Sequence, residues 1–176
     1  MTDAPEMSRL VKARPLPAGP VVIEADAAER EALARRFGLG GIDSLRAEVT
    51  LEERAKAIRA SGVLNAAVQQ VCAISNENFP VTISESFDLS FVPETARPAG
   101  EEDAVEIELE REELDEIEYA GDAFDLGEAV AQTLGLAIDP YAEGPGAEAA
   151  RAAAGLTDED TPSGPLAEAL AALKKD

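Results

Sequence analysis

The residues most able to do chemistry in this chain are carboxylates. The sequence has no histidine and a single cysteine, Cys72. It therefore offers no histidine-based triad, no imidazole metal ligand and no thiolate zinc cage. Adjacent glutamates at 52–53, 101–102 and 112–113 remain as a possible general acid and base, but neighbouring residues on a strand point to opposite faces. We expect no catalytic residue, no metal site and no cofactor.

A cation site built from oxygen ligands is the other chemistry that carboxylates allow. The segment 101–118 contains 11 acidic residues and one arginine. Its spacing does not match an EF-hand loop, so loose attraction of counterions explains it better than a defined site. Two further interpretations stay open. The block is a docking face for a basic protein, through Glu106, Glu108 and Glu110, or it is a charged edge that discourages aggregation between strands.

The charge is unevenly divided along the 176 residues. Residues 1–76 contain ten acids and ten bases, so the whole net charge of −21 falls on residues 77–176. Because phosphate affinity comes mostly from lysine and arginine, the acidic half has no simple electrostatic footprint for nucleic acid. A surface of the neutral half can contact RNA phosphates if folding gathers its bases, although the interleaved acids favour a dispersed arrangement. The candidate contacts are Arg9, Lys12, Arg14, Arg35 and Arg36.

The first part of the chain predicts two strands and a helix. Strands are expected over 7–14 and 21–23, and the capping-box spacing of Asp26 and Glu29 predicts a helix immediately afterwards. This helix should run from Ala27 to Phe37. Its predicted buried stripe is Ala28, Leu33 and Phe37.

The middle of the chain alternates apolar and polar residues, which is the period of half-buried strands. The expected strands cover 45–51, 52–60, 64–74, 79–91 and 105–109. The residue types of 52–60 also favour a helix, and we choose a strand there because of the turn and strand that follow. A hairpin turn at Ser61-Gly62 should connect the second and third of them. Cys72 lies on the apolar side of the third strand, which favours a structural role over a reactive thiol.

A second helix and a tail complete the prediction. The spacing of Asp125 and Glu128 predicts a helix start, and apolar residues from Leu126 to Ala137 recur at helical intervals as far as Pro140. The composition of 141–164 predicts a mobile linker, and leucines at helical spacing predict a short amphipathic helix at the C-terminus.

Together these elements predict an α+β fold. We expect an antiparallel sheet of five to six strands with two capped helices packed on it, in a domain over 1–140. A flexible acidic tail over 141–176 should follow. No apolar run approaches the length of a membrane span, and no signal peptide is recognisable at the N-terminus. The cytoplasm is therefore the expected location, and no membrane is expected as a partner.

The order of these features resembles the YceD family of bacterial proteins. The segments that carry the resemblance are MSRLVKA, VVIEADAAEREALARRFGL, SGVLNAAVQQVC with FPVTISESFDLSFVP, EYAGD through FDLGEAVAQTLGLAIDPY, and PLAEALAALKK near the end. The resemblance covers about residues 7–143 and the last helix. Some members carry further cysteines that look like a metal-binding set, whereas this chain keeps only Cys72.

The resemblance implies a non-enzymatic role in ribosome biogenesis, in which the protein supports accumulation of large-subunit ribosomal RNA. The implied partner is a precursor of that RNA. The alternative, which follows from the charge of residues 77–176, is an acidic binding module or chaperone for a basic ribosomal protein.

Overall fold

The computed structural model describes residues 5–55, 57–94 and 116–155. Within these ranges the chain forms seven strands and three helices. They are β1 Leu10–Lys12, β2 Val21–Glu24, α1 Ala27–Phe37, β3 Gly41–Arg54, β4 Ala57–Val71, β5 Asn78–Pro93, β6 Glu116–Tyr119, β7 Ala123–Asp125, α2 Leu126–Ala137 and α3 Ala147–Ala154. The predicted α+β class is confirmed.

The described residues form two compact units. The first unit takes the residues up to Gln70 and those from Pro80 to Asp139. The second unit takes Val71–Phe79 and the described residues from Pro140 onward. The sheets and helices α1 and α2 belong almost entirely to the first unit, whereas α3 belongs to the second.

The larger sheet is mostly antiparallel, in the order β2-β3-β4-β5-β6. β3 pairs antiparallel with both β2 and β4. β6 instead runs parallel to β5, with Ser90 opposite Glu116, so the sheet is mostly antiparallel, as predicted, but not at this edge. β1 does not join this sheet, because it pairs with β7 in a separate two-stranded ribbon.

One face of the larger sheet carries the hydrophobic core of the first unit. The inward residues of the strands and the buried residues of α1 and α2 form one cluster. It includes Leu45, Ala47, Val49, Leu64, Ala66, Val68, Ile83 and Phe91 from the sheet, with Leu33 from α1 and Leu134 from α2. The alternating pattern of the sequence thus corresponds to a sheet with one buried face.

The opposite face of the sheet is exposed and polar, and we call it the outer face. Its exposed residues alternate with the core residues along β3, β4 and β5. They are Ser44, Arg46, Glu48 and Thr50 on β3, Val63 and Asn65 on β4, and Thr82, Ser84 and Ser86 on β5.

Helix α1 begins and ends where the sequence predicts. Asp26 accepts a hydrogen bond from the Glu29 backbone while the Glu29 side chain accepts from the Asp26 N–H, which completes the capping box. The helix ends at Gly38, which adopts the left-handed conformation with φ of 65°. Leu33 and Ala34 are its buried residues, whereas Ala28 is exposed, so the predicted stripe is wrong at that position.

Gly62 lies inside β4 and is not part of a turn. The last register pair of β3 and β4 is Arg54 with Ala57, so the hairpin turns there and not at Ser61-Gly62. A Cβ at Gly62 would lie 2.4 Å from the Glu48 carbonyl oxygen and 2.9 Å from Cζ of Phe87. Glycine is therefore required at this position for close packing.

Gln70 interrupts the apolar row of β4, and the structure accounts for it. Its side chain is 5% exposed, and its amide donates to the carbonyl of Asp139, which follows α2. Every buried side-chain nitrogen or oxygen within the described ranges has a hydrogen-bond partner.

The tail differs from its prediction where it is described. Ala147–Ala154 forms a third helix inside the segment 141–164, because the run is rich in alanine and Gly155 ends it in the left-handed conformation. The predicted strand over 105–109 and the predicted C-terminal helix lie outside the described residues. Of the described helices, none combines the length and apolar character needed to cross a membrane.

Helix α2 starts against the N-terminal segment of the chain. Its N-cap Asp125 accepts from the backbone N–H groups of Gly127 and Glu128 at 3.0 and 3.2 Å. A Cβ at Gly127 would lie 2.6 Å from the Arg9 nitrogen and 2.9 Å from the Met7 oxygen. Both of these are backbone atoms, so no side-chain rotation can relieve the contact.

We expect Gly127→Ala to lower the free energy of unfolding by about 1 to 3 kcal/mol, because the added methyl group forces the backbone of residues 7–9 away from α2. Alanine in a helix is otherwise favoured over glycine by about 1 kcal/mol, so a net loss identifies the clash. The measurement is urea unfolding. Gly19→Ala is the control, since nothing lies within 4 Å of a Cβ there. A Gly127→Ala protein as stable as the parent would contradict this packing.

Candidate nucleic-acid interface

Arg9 holds a junction of the first unit together. Its guanidinium donates to both carboxylate oxygens of Glu29, at 2.5 and 2.8 Å, and to the carbonyl of Glu24 at 3.0 Å. Its backbone N–H donates to Asp125 at 2.8 Å. We call Arg9, Glu29 and Asp125 the Arg9 clasp. The bond from Arg9 holds the pKa of the Glu29 carboxyl below its usual value, although partial burial acts in the opposite direction.

Arg36 is also engaged by carboxylates of its own chain. One guanidinium nitrogen donates to Glu6 at 2.9 Å and another donates to Glu128 at 2.9 Å. The same guanidinium lies 5.3 Å from the ring centroid of Phe37. Since Glu128 belongs to the first turn of α2, this ion pair connects the end of α1 to the start of α2.

The other three bases predicted to contact RNA have different surroundings. Arg14 forms an exposed ion pair with Glu53 at 2.8 Å, on the rim of a cleft of about 400 Å³. Lys12 and Arg35 are exposed, and neither forms an ion pair with any residue in the described part of the chain. Three of the five predicted bases therefore have a carboxylate partner within the chain. Glu106, Glu108 and Glu110, the predicted contacts for a basic partner, lie outside the described residues.

Two arginines that the prediction did not select line one cleft, together with outward-facing residues of β3, β4 and β5. Arg30 comes from α1 and Arg46 from β3, and the cleft has a volume of about 360 Å³. Arg30 is half-buried and donates to the carbonyl of Ala25 at 2.7 Å, while Arg46 is exposed. Neither arginine forms an ion pair with a carboxylate among the described residues. Ser44, Asn65 and Thr82 also line this cleft, which we call the Arg30–Arg46 cleft.

Carboxylates are present in the same cleft. Glu24 is the register partner of Arg46 across β2 and β3. Asp43 lies at the irregularity of β3 between Ile42 and Ser44, and it accepts from the Gln69 amide at 2.7 Å. The two acids balance the charge of the two arginines, so any anion must be recognised here through short-range contacts.

The alternation of apolar and polar residues in the sequence of β3 predicts that Arg46 lies on the outer face of the sheet. Its proximity to Arg30 and Asn65 depends on the register of β2, β3 and β4 and on the path of α1, which no local pattern encodes. The row of polar residues on β5 continues from the cleft, because the Ser84 hydroxyl donates to Asn65 at 3.0 Å.

Cys72 is buried in the second unit, directly after the end of β4, and the structural role expected for it stays a prediction. Its side chain is 0% exposed, and the Ser75 N–H donates to its sulfur at 3.3 Å. Hydrogen bonds from the Ser75 side chain, and then from the backbone of Ser75 and Gly144, lower the pKa of the Cys72 thiol to about 7. Within the described ranges, no three residues among histidine, cysteine, aspartate and glutamate are grouped so as to hold a metal ion.

Comparison with known families gives one match. The model of the family described as large ribosomal RNA subunit accumulation protein YceD matches residues 60–174, which is well over half of the chain. The resemblance seen in the sequence is thereby confirmed. No curated protein and no solved structure is similar enough to this chain to count as a match.

The Arg9 clasp predicts a loss of stability in acid. Because the folded-state pKa of Glu29 is lowered, the ion pair stabilises the native state above the unfolded pKa of about 4.3, and this contribution is lost as the pH falls through the folded pKa. We expect Arg9→Gln to lower the free energy of unfolding by about 1 to 2 kcal/mol at neutral pH and by less in acid. The measurement is urea unfolding of both proteins at neutral pH and again at an acid pH at which Glu29 is protonated.

Arg54→Gln is the control for that experiment, because Arg54 forms an exposed pair with Glu52 at 2.6 Å. Such pairs contribute about 0 to 1 kcal/mol, so the control should change stability little. An equal effect of Arg9→Gln at neutral and at acid pH would show that Glu29 does not carry the contribution.

The surroundings of Cys72 predict a thiol that ionises near neutral pH. The ultraviolet absorbance of the thiolate should rise with a midpoint at about pH 7 in the native protein. Ser75→Ala removes the largest contribution and should move the midpoint toward the free value of about 8.5. Cys72→Ser supplies the baseline. A Ser75→Ala midpoint equal to that of the parent would refute this assignment.

Proposed function

This chain belongs to the YceD family, and from that premise we propose that it is a non-enzymatic factor that supports accumulation of large-subunit ribosomal RNA. The observation that carries the proposal is the family match over residues 60–174, whose description names this RNA. In this proposal the protein acts during ribosome biogenesis, in the bacterial cytoplasm, and its partner is a precursor of large-subunit ribosomal RNA.

The chemistry of the chain supports a binding role over a catalytic one. Without histidine, an enzyme would have to rely on carboxylates, a serine, a lysine or Cys72, whose side chain is fully buried. The carboxylates best held by the structure, Glu29 and Asp125, are engaged in an ion pair and a helix cap. In contrast, the outer face presents an accessible polar surface across three strands.

RNA contact through the first unit is the form of this function that we favour. Lys12 and Arg35 are exposed, and Arg30 and Arg46 share a cleft. Arginine, serine, threonine and asparagine side chains are the common donors to phosphate oxygens. The engaged bases Arg9 and Arg36 serve mainly to hold the fold in this proposal, and Arg14 is available only if its exposed pair with Glu53 opens.

A basic ribosomal protein is the second candidate partner, and the distribution of charge favours it. All of the net charge of −21 falls on residues 77–176. The exposed Glu116 of β6 continues the acidic block that contains Glu106, Glu108 and Glu110. In this variant the protein is an acidic binding module or chaperone, and attraction of opposite charges guides the encounter.

One affinity purification distinguishes the two partners. The full chain is purified from cells, and the sample is divided into nuclease-treated and untreated halves. Direct RNA contact predicts that precursor large-subunit RNA is enriched, and that ribosomal proteins are lost on nuclease treatment. A basic protein partner predicts capture that survives nuclease and weakens steeply with salt, because surface charges are screened.

Deletion of the gene tests the function itself. We expect less mature large-subunit RNA relative to small-subunit RNA, and a smaller large-subunit peak in the ribosome profile. Unchanged RNA levels together with an unchanged profile would refute the proposed function, whichever partner is captured.

A further inference from the structure

The Arg30–Arg46 cleft has hydrogen-bond donors that the fold does not use. One guanidinium nitrogen of Arg30 donates to the carbonyl of Ala25, and Arg46 is exposed on β3. A guanidinium carries several N–H donors in one plane, so a single bond leaves most of the Arg30 donors available. Within the described part of the chain, no carboxylate forms an ion pair with either arginine.

The neighbouring side chains are of the kind that contacts phosphate. Ser44, Asn65 and Thr82 line the same cleft. Ser84 and Ser86 follow Thr82 on the outer face of β5, and alternate residues of a strand are spaced by about 6.6 Å. The cleft therefore continues into a row of hydroxyl groups. Hydroxyl, amide and guanidinium groups together supply most protein contacts to a phosphate backbone.

The two carboxylates of the cleft determine how such binding must work. Asp43 is held by the Gln69 amide, whereas Glu24 lies opposite Arg46 in register. The local charge is balanced, so the cleft cannot attract RNA from a distance. Binding must instead come from direct bonds between guanidinium groups and phosphate oxygens, which are strong at short range and often bidentate.

From this geometry we infer that the Arg30–Arg46 cleft grips the phosphate backbone of a single RNA strand that lies along the outer face of β5. The inference rests on the proposed function and assigns its partner to one surface. With one or two phosphates neutralised, log Kd should change with log salt by a slope of only about 0.7 to 1.4.

The test measures binding of the purified full chain to deproteinised large-subunit ribosomal RNA fragments. Arg30→Gln and Arg46→Gln should each raise Kd about tenfold, since each removes a charge-assisted contact. Glu24→Gln should lower Kd about threefold, because it removes the opposing carboxylate. Arg54→Gln, which makes the same charge change at the far end of β3, should leave Kd unchanged. Unchanged urea midpoints show that each variant is folded.

The inference is overturned if neither arginine variant changes Kd, if Arg54→Gln weakens binding as much as they do, or if the parent chain does not bind RNA. Cells carrying Arg46→Gln separate this failure from failure of the function. If deletion of the gene lowers large-subunit RNA and Arg46→Gln does not, the site is wrong while the proposed function stands. If both lower it, the site and the function are supported together.

Discussion

The Arg9 clasp is the interaction on which the rest of the first unit depends. Asp125 caps α2 and also accepts from the Arg9 backbone, while the Arg9 guanidinium binds Glu29 of the α1 capping box. One arginine therefore fixes the first turns of both helices. Both helices contribute buried residues to the core against the sheet. The positions of their first turns therefore determine where these residues pack on the sheet. Gly127 belongs to the same constraint, since only glycine lets residues 7–9 approach α2 so closely.

This constraint changes the meaning of the charge in the neutral half of the chain. The first 76 residues contain as many bases as acids, which suggests that many basic side chains are available to a partner. In the fold, however, several of these side chains form ion pairs within the chain. Arg9 and Arg36 connect helices, and Arg59 pairs with Asp88 between neighbouring strands. The carboxylates paired with Arg9 and Arg36 are partly buried, whereas the Arg59–Asp88 pair is exposed and adds little to stability. Fewer basic side chains are thus available to a partner than the composition implies. Binding therefore depends on where these few side chains lie and not on their total number.

Features set by neighbouring residues could be predicted from the sequence, whereas features set by distant residues could not. The capping box of α1, the N-cap of α2 and the alternation of β5 are local, and each was recognisable. The parallel pairing of β6, the β1–β7 ribbon and the packing role of Gly62 depend on contacts far apart in the chain. The same limit applies to the candidate site. Arg46 was visible as an outward residue, but Arg30 joins it only through strand register and helix position.

The pairing of β1 with β7 has a consequence for the order in which the molecule assembles. Leu10 lies opposite Asp125, so β1 must wait for a strand that is made more than a hundred residues later. Until Asp125 leaves the ribosome, the Arg9 clasp cannot close and β1 has no partner strand. Long sequence separation between contacts slows folding. The β1–β7 ribbon is therefore expected to form later in folding than the hairpin of β3 and β4, whose strands are adjacent in the chain.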